Sequence, residues 1–227
     1  IDYAELGRRC AAVNRILTAA ESVRVQAPGG TDISISLRGR KAKADDGDFS
    51  APGSGGNLPA GESFISPANN TARGIIVFDG SISLHKGDSI IKEPIRCRVE
   101  GGFVTDISGG AEAQALLKTI SMAETDALEL EQTGKLHKGQ GKIYAQNARN
   151  IGELGIGLNP SARISGAMLE DEKAFRTCHF AIGQNYDNDA PSLIHLDGLV
   201  KAPTITAFME DGSAVVIEQD GELAIEL

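Results

Sequence analysis

Residues 22–40, SVRVQAPGGTDISISLRGR, carry the pattern that decides the fold. Val23 and Val25 alternate with polar residues before a Pro-Gly-Gly turn, and Ile33, Ile35 and Leu37 alternate after it. A period of two puts each apolar set on one face of a pleated strand. Two such runs about a turn predict a β-hairpin. Upstream, Asp2-Tyr3-Ala4-Glu5 has the D-x-x-E form of a helix start, and Leu6, Cys10, Val13 and Leu17 follow at helical spacing. A first amphipathic helix is therefore expected to end near Ala20. Downstream, KAKADDGDFSAPGSGGN (41–57) reads as a plain loop. GIIVFDGSISL (74–84) reads as a strand with an Asp-Gly turn, and IIKEPIRCRVEGGFVTDISG (90–109) as further strands around Gly-Gly.

Ala113, Leu116, Leu117 and Ile120 predict a helix face, whereas the polar residues 121–142 fit no element. IGELGIGLNP (151–160) is a short strand stopped by Asn-Pro. EDEKAFRTCHFAIG (170–183) reads as a helix followed by a strand or turn, and SAVVIEQDGELAIEL (213–227) as a hairpin about Asp220-Gly221. The sum is an α+β domain over residues 1–227: a mostly antiparallel or mixed β-sheet core with a few packed helices. No repeat of fixed period, no dinucleotide-binding glycine fingerprint and no P-loop interrupts it.

The chain has 227 residues, 41% of them hydrophobic, and a net charge of -9. An acidic surface argues against nucleic acid as a partner, because phosphate binding needs a basic face. No apolar run approaches the ~18 residues of a membrane span. Three cysteines, Cys10, Cys97 and Cys178, are an odd number without C-x-x-C spacing. They predict free thiols in a reducing compartment, with the cytoplasm as the default. The first residues, IDYAELGRRC, lack the form of a secretory signal. The absence of an initial Met is compatible with a piece of a longer protein.

Of the four histidines, His85 (SLHKGDS) and His137 (KLHKGQG) read as exposed turn residues. His195 and Asp197 lie in SLIHLDGLV (192–200) and share a face if that segment is a strand. An imidazole beside a carboxylate suits a divalent metal, and equally an ordinary hydrogen-bonded pair. Glu62, in GGNLPAGESFISP (55–67), opens a strand. Glu153 sits among Ile151, Leu154, Ile156 and Leu158, where a carboxylate is costly unless paired or metal-bound. His179, in RTCHFAIGQNY (176–186), has apolar neighbours that suggest burial, and Cys178 beside it reads as packing. No single spacing is diagnostic. Together, two histidines and three carboxylates in apolar settings match the ligand inventory of a two-metal hydrolytic site with N and O donors.

The segments NLPAGESFISP, IGELGIGLNP, EDEKAFRTCHFAIGQNY and LIHLDGLV, in this order over residues 57–200, resemble the aminopeptidase T and aminopeptidase S family of dinuclear, leucyl aminopeptidase-like metallopeptidases. The resemblance implies a metallopeptidase-like catalytic domain over residues 1–227 without the N-terminal α/β domain of larger members, and a homodimer. It implies Glu62, Glu153, His179, His195 and Asp197 as ligands of two divalent ions (Zn, Co or Mn). It implies Tyr186 as a donor to the transition state; one carboxylate must shuttle the proton, and Glu62 is taken for that role with the choice among the carboxylates left open. The reaction would be hydrolysis of the first peptide bond of a peptide substrate by a metal-bridging water. Two departures stand out: a short segment between Tyr186 and His195, and extra length at 121–142.

The same fold also resembles that of 2,5-dihydroxypyridine 5,6-dioxygenase, a ring-cleaving enzyme with one non-haem iron held by two His and one Asp. On that alternative His179, His195 and Asp197 form the triad, and Glu62 and Glu153 flank it or act as acids. A third possibility is a non-catalytic remnant that self-associates.

Overall fold

Asp2 caps the first helix by accepting from the N–H groups of Ala4 and Glu5, at 3.0 and 3.1 Å. In the computed structural model, which describes residues 2–227, helix α1 (Tyr3–Ala19) buries Leu6, Cys10, Val13 and Leu17 as the spacing predicts. The hairpin follows as β1 (Ala20–Gln26) and β2 (Asp32–Ser36), with Val23 opposite Ile35 and Val25 opposite Ile33.

The remaining strands are β3 (Lys43–Asp45), β4 (Glu62–Ile65), β5 (Arg73–Phe78), β6 (Ser81–Ile82), β7 (Ser89–Ile90), β8 (Ile95–Glu100) and β9 (Phe103–Ser108). After helices α2 (Ala111–Gln132) and α3 (Gln140–Asn147) come β10 (Ile151–Gly157), the short helix α4 (Met168–Asp171), and β11 (Thr177–Gly183). Then follow β12 (His195–Lys201), β13 (Thr204–Met209), β14 (Ala214–Gln219) and β15 (Glu222–Leu223). Two sheets result, ordered β15-β14-β13-β1-β2-β5-β8-β9 and β3-β4-β10-β11-β12-β6-β7. Every ladder is antiparallel, so the fold is α+β with antiparallel sheets.

The buried apolar side chains of both sheets form one cluster, from Val23, Ile35 and Phe78 to Leu154, Phe180 and Val200. Phe78 lies against Gly198 of β12 so closely that a Cβ on Gly198 would be 2.6 Å from the ring. Strands β10 and β11 are buried along their whole length. One face belongs to the core between the sheets; the other carries the polar side chains described below.

Four expectations need correction. Residues 41–57 are not wholly loop, because Lys43–Asp45 pair with β4 as an edge strand. Residues 74–84 are not one strand with a turn: at Asp79-Gly80 the chain crosses to the second sheet, and β6 pairs with β12. Residues 121–142 are helical up to Gln132, on buried Ala123 and Ala127, and α3 packs beside them. The helix expected from residue 170 is a single turn ending at Asp171, which leaves Glu172 and Lys173 in the turn before β11. All three cysteines are free and buried, and no helix among the described residues is long and apolar enough to cross a membrane.

Candidate metal centre

The register of four strands, β4, β10, β11 and β12, assembles the site. Glu153 on β10 stands opposite Ala181 on β11, and Ala181 opposite Asp197 on β12. One step along, Gly155 is opposite His179, and Glu62 on β4 is opposite Gly157. At the other end His195 is opposite Gly183. Small residues between the functional ones leave the space above the sheet to the long side chains. A Cβ on Gly155 would come within 2.1 Å of the His179 ring, so the imidazole lies over that glycine.

A β-bulge sets the facing of Glu153. The register between β10 and β11 shifts between Ile151 and Glu153. Ile151 and Ile182 share the core face, and simple alternation would send Glu153 there too. The extra residue, Gly152, turns Glu153, Gly155 and Gly157 to the polar face and keeps Leu154 and Ile156 in the core.

The five sequence-predicted residues converge. His179, 1% exposed, has Nε2 3.0 Å from Glu153 Oε1 and 3.5 Å from Glu62 Oε2. His195 has Nε2 3.3 Å from Asp197 Oδ1 and 3.7 Å from Glu153 Oε2. The carbonyl of Gln184 can only accept, so His195 Nδ1 donates to it, at 2.8 Å. That bond leaves Nε2 as the lone-pair nitrogen of the neutral ring. Tyr186 stands at the open edge, 48% exposed, its ring 4.9 Å from that of Phe64 and 5.2 Å from that of His195. His85 and His137 are exposed and take no part in this cluster.

Three further groups belong here that sequence reasoning did not assign: Asp45, Glu172 and Lys173. The Lys173 side chain is 0% exposed. Its Nζ donates to Glu62 Oε1 at 2.7 Å, makes an ion pair with Glu172 Oε1, and is 3.7 Å from Asp45 Oδ2. A usable signal lay in D-E-K-A-F: a lysine one turn from a strand rich in buried residues, in a chain with surplus carboxylates.

Burial and charge act against each other here. Burial pushes the Glu62 carboxyl up to about 8, against the pull of His179. Burial alone would lower His179, but the hydrogen bond to Glu153 and the charges of Glu62 and Asp197 raise it to about 9. Burial would raise the Asp197 carboxyl, but the His195 imidazole outweighs it and holds the group below the usual range. Burial also raises the Tyr186 hydroxyl, with Glu153 and Asp197 adding to it.

The donor set fits a cation. Glu62 Oε2, Glu153 Oε2 and Asp197 Oδ1 are buried acceptors without a hydrogen-bond donor. Buried charges of this kind are ordinarily paired or metal-bound. Two groupings bring ligand atoms within 4.8 Å of one another: Glu153, His179 and Asp197, and Glu62, Glu172 and His179. Both share His179.

Comparison with known proteins gives the family and the fold. The sequence profile of the 2,5-dihydroxypyridine 5,6-dioxygenase family matches residues 2–186. The 2,5-dihydroxypyridine 5,6-dioxygenase of Pseudomonas putida KT2440 is 31% identical over 109 residues, 48% of this chain and 31% of that protein. The solved 2,5-dihydroxypyridine dioxygenase from the same organism superposes with a TM-score of 0.75 at 23% identity, over 98% of this chain and 60% of the other. Wild-type AmpT from Thermus thermophilus gives 0.73 at 18% identity, over 98% and 55%. At these identities the two structures establish the fold alone. The chain spans about a third of the curated relative and 60% of the solved dioxygenase.

The family match overturns the metallo-aminopeptidase expectation. Hydrolysis of a peptide substrate at a dinuclear centre, and with it the description as a hydrolase or protease, gives way to the ring-cleaving alternative. The likeness to aminopeptidase T is one of fold.

Proposed function

The chain belongs to the 2,5-dihydroxypyridine 5,6-dioxygenase family, and from that premise we propose that it forms the iron-binding part of a dioxygenase opening a dihydroxylated nitrogen-heteroaromatic ring. His179, His195 and Asp197 would hold one iron(II) ion, two imidazoles and one carboxylate being the donor set of non-haem iron oxygenases with open positions. Bound there, iron supplies the coordination of substrate and dioxygen that a spin-paired organic ring and O2 lack without it.

The observation that carries this reading is the Nδ1–H of His195 donating to the Gln184 carbonyl at 2.8 Å. It turns Nε2 toward Asp197 Oδ1 and the face that His179 also occupies. A backbone acceptor behind a ligand imidazole fixes both tautomer and ring direction. Glu153, between His179 and His195, orients both rings from one carboxylate. Glu62, its carboxyl raised by burial, can exchange a proton on His179's side of the site. Tyr186 and Phe64, their rings tilted by 52° to one another, supply aromatic surface beside His195, suited to contact with an aromatic ring.

The test is anaerobic loading with iron(II), then addition of 2,5-dihydroxypyridine and air, with oxygen uptake and loss of the aromatic absorbance followed together. The proposal expects equimolar consumption of the two, because both oxygen atoms enter the opened product. Metal-loaded, folded protein that consumes neither would overturn it.

A further inference from the structure

Two metal-capable groupings share His179, yet the family premise calls for one ion. The second grouping, Glu62, Glu172 and His179, is complete by distance. What distinguishes it is Lys173. It is the sole lysine or arginine on these carboxylates among the described residues, wholly buried, and its ammonium bridges Glu62 Oε1 and Glu172 Oε1 with Asp45 beyond. Burial would lower the Lys173 pKa, but the charges of Glu62 and Glu172 outweigh it and keep the side chain cationic.

We infer that Lys173 is the resident cation of the second metal seat, and that it restricts this site to a single divalent ion. The inference rests on the one-iron reading above but concerns different atoms. A divalent ion on Glu62, Glu172 and His179 would share two carboxylates with the ammonium, which already holds Glu62 Oε1 and Glu172 Oε1 and leaves Glu62 Oε2 toward His179. It would also face a like charge a few ångströms away in a site shielded from water, where repulsion is least screened. The ammonium provides charge neutralisation without Lewis acidity or open coordination positions, so it closes the seat to metal chemistry while keeping Glu62 and Glu172 in place. The geometry has a sequence origin. Because α4 ends at Asp171, Glu172 and Lys173 turn inward together, and residues 173–174 cross the sheet at Gly157, where a Cβ would meet the Ala174 carbonyl at 2.1 Å.

The test counts ions rather than turnover. Wild type, Lys173→Met, Lys173→Arg and the double variant Lys173→Met/Glu172→Gln are dialysed against manganese(II) under argon. Bound metal per chain is measured by elemental analysis, with manganese electron paramagnetic resonance to detect coupled pairs. Circular dichroism and gel filtration identify the folded fraction on which the count is made. Wild type and Lys173→Arg are expected to hold one ion. Lys173→Met is expected to hold a second, magnetically coupled to the first, and the double variant to lose it. A second ion in wild type, or a single ion in folded Lys173→Met, would overturn the inference. If Lys173→Met does not fold, Lys173→Gln, which keeps a polar group among the carboxylates, takes its place and the same ion count decides. A parallel His195→Ala sample separates the two readings. Its retention of the first ion would strike the triad assignment, while the difference between wild type and Lys173→Met would still decide the role of the lysine.

Discussion

The imidazole of His179 lies directly over Gly155, its cross-strand partner: a Cβ on that glycine would sit 2.1 Å from both Cε1 and Nε2 of the ring. This contact explains a glycine in the middle of a wholly buried strand, where glycine otherwise weakens the sheet. Any side chain there must displace the ring from Glu153 and Glu62. Gly155→Ala is therefore expected to weaken iron(II) or manganese(II) binding by about 10–100-fold, while costing about 1–3 kcal/mol of stability from overpacking. Competition against a chelator gives the first quantity and denaturant unfolding the second. Unaltered metal affinity would show that the ring position is not set by this glycine.

Glu62 and Asp197 are expected to respond differently to loss of charge. Asp197→Asn should remove the bound ion, with an affinity loss of at least ~100-fold, more than the effect of changing a group that only orients a ligand. Glu62→Gln should keep it, because Glu62 is already occupied by Lys173 on one oxygen. Titration of both variants with iron(II) under argon checks the contrast. Equal loss in the two would return Glu62 to the ligand set.

Glu218 on β14 lies outside the metal centre and is expected to cost stability at neutral pH. Its side chain is 0% exposed and neither carboxylate oxygen has a partner. Burial, with Glu222 adding, raises its pKa well above the usual 4.5. A raised folded-state pKa means the contribution of this group to stability is fully present below pH 4.5. It falls away as pH rises toward the folded-state value. Glu218→Met should thus stabilise by about 1–3 kcal/mol at pH 7, or roughly 2–12 °C for a chain of this size. The gain should shrink toward pH 4. Melting curves of both proteins at pH 4, 5.5 and 7 decide it; a gain independent of pH would mean that packing, not ionisation, is the cause.

Gly198 links the core to the site, since Phe78 presses on its Cα from the first sheet while Asp197 precedes it on the opposite face. Gly198→Ala is expected to cost about 1–3 kcal/mol and to shift β12 enough to reduce metal affinity as well. Iron binding at the wild-type level in a destabilised variant would show that the two faces of β12 are mechanically independent.

Local pattern carried much of this protein. Alternation at Val23, Val25, Ile33 and Ile35 reports a sheet because a half-buried strand must sort its side chains by face. The helix start at Asp2 is legible because its carboxylate meets N–H groups only two and three residues away. Glu153 stood out because a carboxylate among apolar residues is expensive to bury alone, Glu62 and His179 counted only in combination with it, and His195 and Asp197 share a face for the simple reason that strands repeat every two residues. Even the bulge has a trace, in the three-residue step from Ile151 to Leu154 where alternation would place two.

Tertiary structure decided the rest. The second sheet brings β4 beside β10, and β10 beside β11, across long stretches of chain, so nothing local says that Glu62 meets Lys173, 111 residues away. Lysine, aspartate and glutamate near turns read as solvated charge until the fold removes the solvent. The reaction class was decided neither by local pattern nor by packing but by the family match. Histidines, glutamates and an aspartate spread over strands read alike for a two-metal hydrolase and a one-iron oxygenase, whereas the cation that Lys173 places among the carboxylates is a fact of three-dimensional packing.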